Sequence, residues 1–117
     1  MKKKLLLIED ERFMLDLIIM VLEMSDYEVD GATSGAEALQ LLREGSEYAA
    51  IISDMYLPDA DGLMLFEQVH TAYPEVPFLI LTSETNEAIV QKIIDFGIPY
   101  ILKNGNFAES ILAALKK

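Results

Sequence analysis

The stretch Ile51-Ile52-Ser53-Asp54-Met55-Tyr56-Leu57-Pro58-Asp59-Ala60-Asp61-Gly62 reads as a buried strand, a polar turn and the start of a helix. The apolar run ends in an aspartate, and the turn carries Pro58 and an Asp61-Gly62 pair suited to a helix start. Asp54 is therefore delivered to the carboxyl end of a strand. In an open parallel sheet ligands bind along that edge, which makes the carboxylate a functional candidate. The plainer alternative is an acid that merely ends a strand in a turn.

To either side of this stretch the chain alternates between two periods. Lys4 to Glu9 reads as a buried strand, Arg12 to Met24 as a helix, Glu28 to Ala32 as a strand, and Gly35 to Arg43 as a helix that Ser34 is placed to cap. After the strand Ala49 to Asp54 come a helix over about Gly62 to Ala72, a strand over Pro77 to Thr82, and a helix over Glu84 to Phe96 ended by Gly97. Tyr100 to Leu102 and a last helix over about Asn106 to Lys116 complete the pattern. Strands and helices in strict alternation predict an α/β fold, a doubly wound parallel sheet covered on both faces. Near-continuous apolar strands such as Leu5-Leu6-Leu7-Ile8 and Phe78-Leu79-Ile80-Leu81 are what two-sided burial requires. No internal repeat, linker or low-complexity segment is present.

A chain of 117 residues, 52% of them hydrophobic, is enough for one domain with a sizeable core. Nine basic against twenty acidic residues give a net charge of −11, which disfavours direct contact with nucleic acid and suits a cation or a basic partner. The absence of cysteine excludes disulfides, thiolate metal sites and cysteine nucleophiles, and allows a reducing compartment. The start, Met1-Lys2-Lys3-Lys4 followed by Leu5 to Ile8, resembles the head of a signal peptide. Its apolar run stops at Glu9-Asp10-Glu11, however, short of the roughly seven to fifteen residues a secretory core needs. No stretch of about eighteen uncharged apolar residues appears, so no membrane span is expected and a cytoplasmic location is. Lysines cluster at residues 2 to 4, 116 and 117, leaving Lys92 and Lys103 as the internal ones.

The polar residues at the strand ends are Glu9 and Asp10 after the first strand, Asp54 at the third, Thr82 and Ser83 at the fourth, and Lys103 after the fifth. Right-handed crossovers in a doubly wound sheet bring these ends together. Crowded carboxylates repel unless a proton or a cation intervenes, so the cluster either has raised proton affinities or binds a hard divalent ion. With oxygen ligands alone that ion would be magnesium or manganese. Glu9-Asp10-Glu11 also suits the first turn of a helix, where the dipole favours acids.

Four marks together carry a family resemblance: the acidic pair Glu9-Asp10, the D-x-x-x-P-x-x-D-G run from Asp54 to Gly62, Thr82 followed by small Ser83, and Tyr100-Ile101-Leu102-Lys103. The sequence resembles the receiver domain of bacterial two-component response regulators, and the marks span essentially the whole chain in the family's order. The resemblance implies a single receiver domain over residues 1–117, with a flavodoxin-like five-stranded sheet of order 2-1-3-4-5 and five helices. It implies that Asp54 accepts a phosphoryl group from a phosphohistidine on a sensor histidine kinase or phosphotransfer protein. The chain would then catalyse only its own phosphorylation and dephosphorylation. Magnesium would be held by Asp10, Asp54 and the backbone carbonyl of Tyr56, with Glu9 acting directly or through water. Lys103 would pair with Asp54 at rest and with a phosphoryl oxygen afterwards, and Thr82 would donate its hydroxyl to another. Tyr100 would follow Thr82 inward, changing the surface of the fourth helix, fifth strand and last helix that faces an output domain or partner. Two positions depart from the family pattern: Asn104 stands where proline, in a cis bond, usually follows the lysine, and Glu9 replaces a commoner aspartate.

Along the first helix Met14, Leu17, Ile18, Val21 and Leu22 form one stripe spaced for burial, while Phe13, Leu15, Ile19, Met20 and Met24 lie off it. In resembling receivers this helix packs beside the phosphodonor, so Phe13, Leu15, Ile19 and Met20 are expected to form a docking face; cover by neighbouring loops or a homodimer is the alternative. Three other function classes are open. An aspartyl-phosphate phosphatase commonly needs a second acid two residues past the nucleophile, where this chain has Tyr56. A flavin carrier needs hydroxyl donors where it has Glu9-Asp10-Glu11. A degenerate receiver that only docks is the third, although all four chemical roles are filled. His70 reads as a surface residue. The chain stops soon after its last helix, as either a stand-alone regulator or a receiver cut from a longer protein would.

Overall fold

A computed structural model of the chain describes residues 2–116; Met1 and Lys117 lie outside the described residues. The elements run β1 (Lys3–Ile8), α1 (Arg12–Met24), β2 (Tyr27–Ala32), α2 (Gly35–Arg43), β3 (Ala50–Asp54), α3 (Gly62–Ala72), β4 (Phe78–Thr82), α4 (Glu87–Asp95), β5 (Tyr100–Leu102) and α5 (Phe107–Leu115). All neighbouring strands are parallel and their order is β2-β1-β3-β4-β5. This is the expected doubly wound, flavodoxin-like sheet.

The sheet separates two apolar layers, and strand alternation decides which residue enters which. Leu6 and Ile8 point with Ile51 and Ile80 toward Ala38, Leu42, Leu65, Val69 and Ile93 of α2, α3 and α4. Leu5 and Leu7 point with Ile52, Leu79 and Leu81 toward Leu15, Ile18 and Leu22 of α1 and Ile111 of α5. The uninterrupted Leu-Leu-Leu-Ile run of β1 is thus half of each core.

Helices α1 to α4 each start on a side-chain acceptor for the first free amides. Ser34 Oγ accepts from the Glu37 N–H at 3.1 Å, and Asp61 Oδ1 from the Met64 N–H at 2.8 Å. The fourth helix begins three residues later than its apolar pattern predicts. Asn86 caps it by accepting from Ala88 at 2.9 Å, while the Glu84 carboxylate is drawn off to the Asn86 amide and to Tyr56. Gly97, at φ 74°, ends the helix in the left-handed conformation glycine adopts without strain.

The face of α1 differs from expectation. Leu15, Ile18 and Leu22 are the buried residues, and Leu17, assigned to the buried stripe, is exposed. Leu15 is only 2% exposed, so it is a core residue and not part of a docking face. Ile19 is also partly buried, packed over Gly31 of β2, where an added Cβ would lie 3.0 Å from its Cδ1 and 3.3 Å from Leu15 Cδ1. Nearly every position of this helix is apolar. A phase error of one residue, about 100° of rotation, therefore leaves the apolar pattern almost unchanged.

Candidate functional site

The carboxyl ends of β1, β3, β4 and β5 form one pocket. Backbone hydrogen bonds hold its rim: the Glu9 amide donates to the Ala32 carbonyl at 2.9 Å, Met55 to Leu81 at 2.9 Å, and Lys103 to Thr82 at 2.8 Å. These continue the sheet just beyond its last residues, so the side chains that follow each strand project from a fixed frame.

Glu9 is the most buried charged group, 1% exposed. One oxygen accepts from the Lys103 ammonium at 2.6 Å and the other from the Glu11 amide at 3.1 Å. The same ammonium lies 3.0 Å from Asp54 Oδ1, which also accepts from the Met55 amide at 3.1 Å. Among the described residues nothing donates to Asp54 Oδ2. Asp10 is exposed at the mouth, and Glu9, Asp10 and Asp54 each offer an oxygen, all within 4.8 Å of one another. Of the three N-terminal acids, Glu11 alone serves the helix, accepting from Phe13 and Met14 at 3.2 and 2.8 Å.

The electrostatics follow from this crowding. Burial, reinforced by the charges of Glu9 and Asp10, pushes Asp54 up to about 6 against the opposing pull of Lys103. Burial works against the Lys103 ammonium, but its bonds to Glu9 and Asp54 outweigh it and hold the group above its ordinary value. The trans bond before Asn104 leaves the lysine within reach of both carboxylates.

Thr82 is fully buried, and its Oγ1 accepts from the Glu84 amide at 2.9 Å. Tyr56, half exposed beside the pocket, donates to Glu84 Oε2 at 2.5 Å, a bond that raises the tyrosine and lowers the carboxylate. Among the described residues no backbone amide donates to the Tyr56 carbonyl. Tyr100 is partly buried and lines a cavity of about 450 Å³ with Glu84, Glu87, Val90 and Leu102. On α1, Phe13, Met20 and Met24 are 71%, 52% and 80% exposed. His70 is exposed and stacks on Phe66 at 5.0 Å.

The geometry thus brings Glu9, Asp10, Asp54 and Lys103 together, sets Thr82 at the adjoining strand end with its hydroxyl on the Glu84 amide, and leaves Leu15 in the core. Three contacts had no sequence signal. They are the Glu9–Lys103 pair, the Tyr56–Glu84 bond, and a clasp in which both Asp59 oxygens accept from the Gly35 and Ala36 amides at 2.9 Å. Each joins residues at least 23 positions apart, beyond any local motif.

Comparison with known proteins agrees with this architecture. The profile of the response regulator receiver domain family matches residues 5–116. Sensor kinase CckA of Brucella abortus is 29% identical over 89 residues, 75% of this chain and 9% of that protein. Transcriptional regulatory protein SrrA of Staphylococcus aureus is 31% identical over 87 residues, 74% of this chain and 35% of that protein. A crystal structure of a response regulator protein from Burkholderia pseudomallei, with a phosphorylated aspartic acid, calcium ion and citrate, superposes with a TM-score of 0.84. It is 30% identical, over 97% of this chain and 66% of that one. The chain belongs to the response regulator receiver domain family of two-component signalling systems. It spans about a tenth and a third of the lengths of the two curated relatives. Among the described residues no helix is long and apolar enough to cross a membrane.

Proposed function

We propose that Asp54 accepts a phosphoryl group from a phosphohistidine of a sensor histidine kinase or histidine phosphotransfer protein. A carboxylate oxygen bonds to phosphorus as the phosphorus–nitrogen bond breaks, and the departing imidazole keeps the electron pair and takes a proton. The observation that carries this reading is the placement of Lys103 between Glu9 and Asp54, at 2.6 and 3.0 Å, beside three carboxylates within ligand distance of one another. With Lys103 and the Met55 amide both on Asp54 Oδ1, the other oxygen is left for attack.

The donor set fits a hard divalent cation, because it offers oxygens alone and crowds negative charge that a cation would relieve. Asp10, Asp54 and the Tyr56 carbonyl would hold magnesium or manganese, with Glu9 acting directly or through water. When bound, the metal neutralises charge on the equatorial oxygens of the transferring group. Lys103 supplies the second positive charge, released toward the phosphoryl as Asp54 becomes an acyl phosphate, a mixed anhydride. Thr82 turns its hydroxyl to a phosphoryl oxygen, drawing in the loop tied to it through the Glu84 amide. Tyr100 then moves from the adjoining cavity toward the space behind Thr82, which alters the α4, β5 and α5 surface offered to an output domain or partner. Residues 1–117 would act in the cytoplasm as one such domain, free to associate as a homodimer.

The test is intact mass after incubation with magnesium and acetyl phosphate. The protein is expected to gain one phosphoryl group and the Asp54→Ala variant none. Labelling of the variant, or none of the parent, would overturn the reading.

Two further outcomes are expected. Tyr56, standing beside the site and tied to Glu84, screens the acyl phosphate from water, so Tyr56→Ala should hydrolyse severalfold faster; an unchanged lifetime would count against screening. On α1 the expected docking face keeps Phe13 and Met20 exposed, and Met24, exposed one turn beyond Met20, extends it. Met20→Glu is expected to slow transfer from the kinase while leaving acetyl phosphate labelling unchanged. Equal slowing with both donors would place the effect in the fold and not in docking.

A further inference from the structure

The loop between β3 and α3 carries the Tyr56 carbonyl, and it is fastened twice. Within the loop, Tyr56 and Asp61 form an antiparallel bridge, with Leu57 donating to Ala60 at 3.0 Å and Gly62 to Met55 at 2.6 Å. At its tip Asp59 reaches a different element, accepting from Gly35 and Ala36 at the start of α2, both at 2.9 Å. Those amides are unpaired within their own helix, and a carboxylate there is also favoured by the helix dipole. The two backbone bonds hold the Asp59 carboxyl below its ordinary range. Asp59 is otherwise exposed and outside the acid cluster.

From this geometry we infer that Asp59 is a positioning residue for the metal. Docked on α2, it fixes the position of the loop that carries the Tyr56 carbonyl beside Asp54. The inference rests on the proposed receiver chemistry. α2 is itself anchored in the core by Ala38 and Leu42, so the docking refers the loop to a rigid element. A loop held only by its internal bridge would keep its shape and lose its placement. Groups that orient a metal ligand from outside the coordination sphere typically change affinity by about 10- to 100-fold.

Magnesium alone is titrated into the whole chain by calorimetry, with thermal unfolding recorded for each variant. Asp59→Ala is expected to bind magnesium about tenfold more weakly. Asp59→Asn keeps an acceptor for one amide but loses the charge, and should recover much of that affinity. Gly35→Ala perturbs the same clasp with charge unchanged: its Cβ would sit 3.3 Å from Asp59 Oδ1, so affinity should fall although alanine suits the helix better than glycine. The differences should persist at high salt, where a long-range charge effect would be screened. Equal loss in Asp59→Ala and Asp59→Asn that fades with salt would reduce the role of Asp59 to its charge and overturn the inference. So would parent-like affinity in Asp59→Ala. Failure of the parent itself to bind magnesium would instead overturn the receiver chemistry.

Discussion

Replacing Lys103 by alanine is expected to destabilise the protein by about 3 kcal/mol, the lower end of the range for removing one partner of a buried ion pair. The ammonium sits 2.6 Å from Glu9 and 3.0 Å from Asp54, and Glu9 is almost wholly shut off from water. Without it two carboxylates face each other with no counter-charge. The lower end applies because Asp10 leaves the mouth open to solvent. For a domain of this size the midpoint of thermal unfolding should drop by about 10 °C. Magnesium should restore part of the loss, since binding to the folded state alone stabilises it. Acid should do the same, because Asp54 takes up a proton more readily once the lysine no longer holds its pKa down. Lys103→Arg, which keeps the charge, should lose far less. Unfolding of Lys103→Ala within about 2 °C of the parent would mean that the ammonium is solvated and not the partner of these acids.

The second large effect is the pH dependence of magnesium binding. Asp54 must be ionised to hold the metal, and its proton affinity is raised to about 6, first by burial and then by Glu9 and Asp10. Protons therefore compete with the cation just below neutrality. From pH 7 to pH 5 the ionised fraction of a group titrating at about 6 falls about tenfold, and the apparent affinity should fall with it. The stability linkage has the same origin and the opposite sense. A carboxyl whose folded value lies above its unfolded value of 3.8 disfavours folding above about pH 6, and that penalty is relieved as pH falls from 6 toward 3.8. Asp54→Asn should thus unfold at a higher temperature than the parent at pH 7, with the gap closing in acid. Magnesium affinity that is flat between pH 7 and 5 would show that Asp54 keeps an ordinary carboxylate value.

The fold and the pocket were legible because both depend on local signals. Period-two and helical apolar patterns marked the elements, and the acids, hydroxyl and amine appeared at strand ends, where a parallel sheet must gather them. Ser34 and Asp61 announced their helices as caps. Elsewhere local signals were lacking or uniform. Helix α1 is apolar on nearly every side, so Leu15 and Leu17 exchanged the roles their spacing suggested. The start of α4 was decided by Glu84, whose carboxylate is claimed by Tyr56 across the pocket. Lys103 was expected to meet Asp54, but its shorter contact is to Glu9, because the longer glutamate arm reaches across from β1. Asp59 carries no signal of its own within the polar turn; only the packing of α2 beside the loop reveals its two amide partners.

The most direct measurement is a magnesium titration followed residue by residue through backbone amide resonances. Acids from separate strands acting as one site predict that Asp10, Asp54, Met55 and Tyr56 shift together with a single dissociation constant, and that Asp54→Asn abolishes the shared response. A chain of net charge −11 could also gather cations loosely over its whole surface. Shifts that are spread over the acidic surface, that follow different constants, or that survive Asp54→Asn would contradict a single converged pocket.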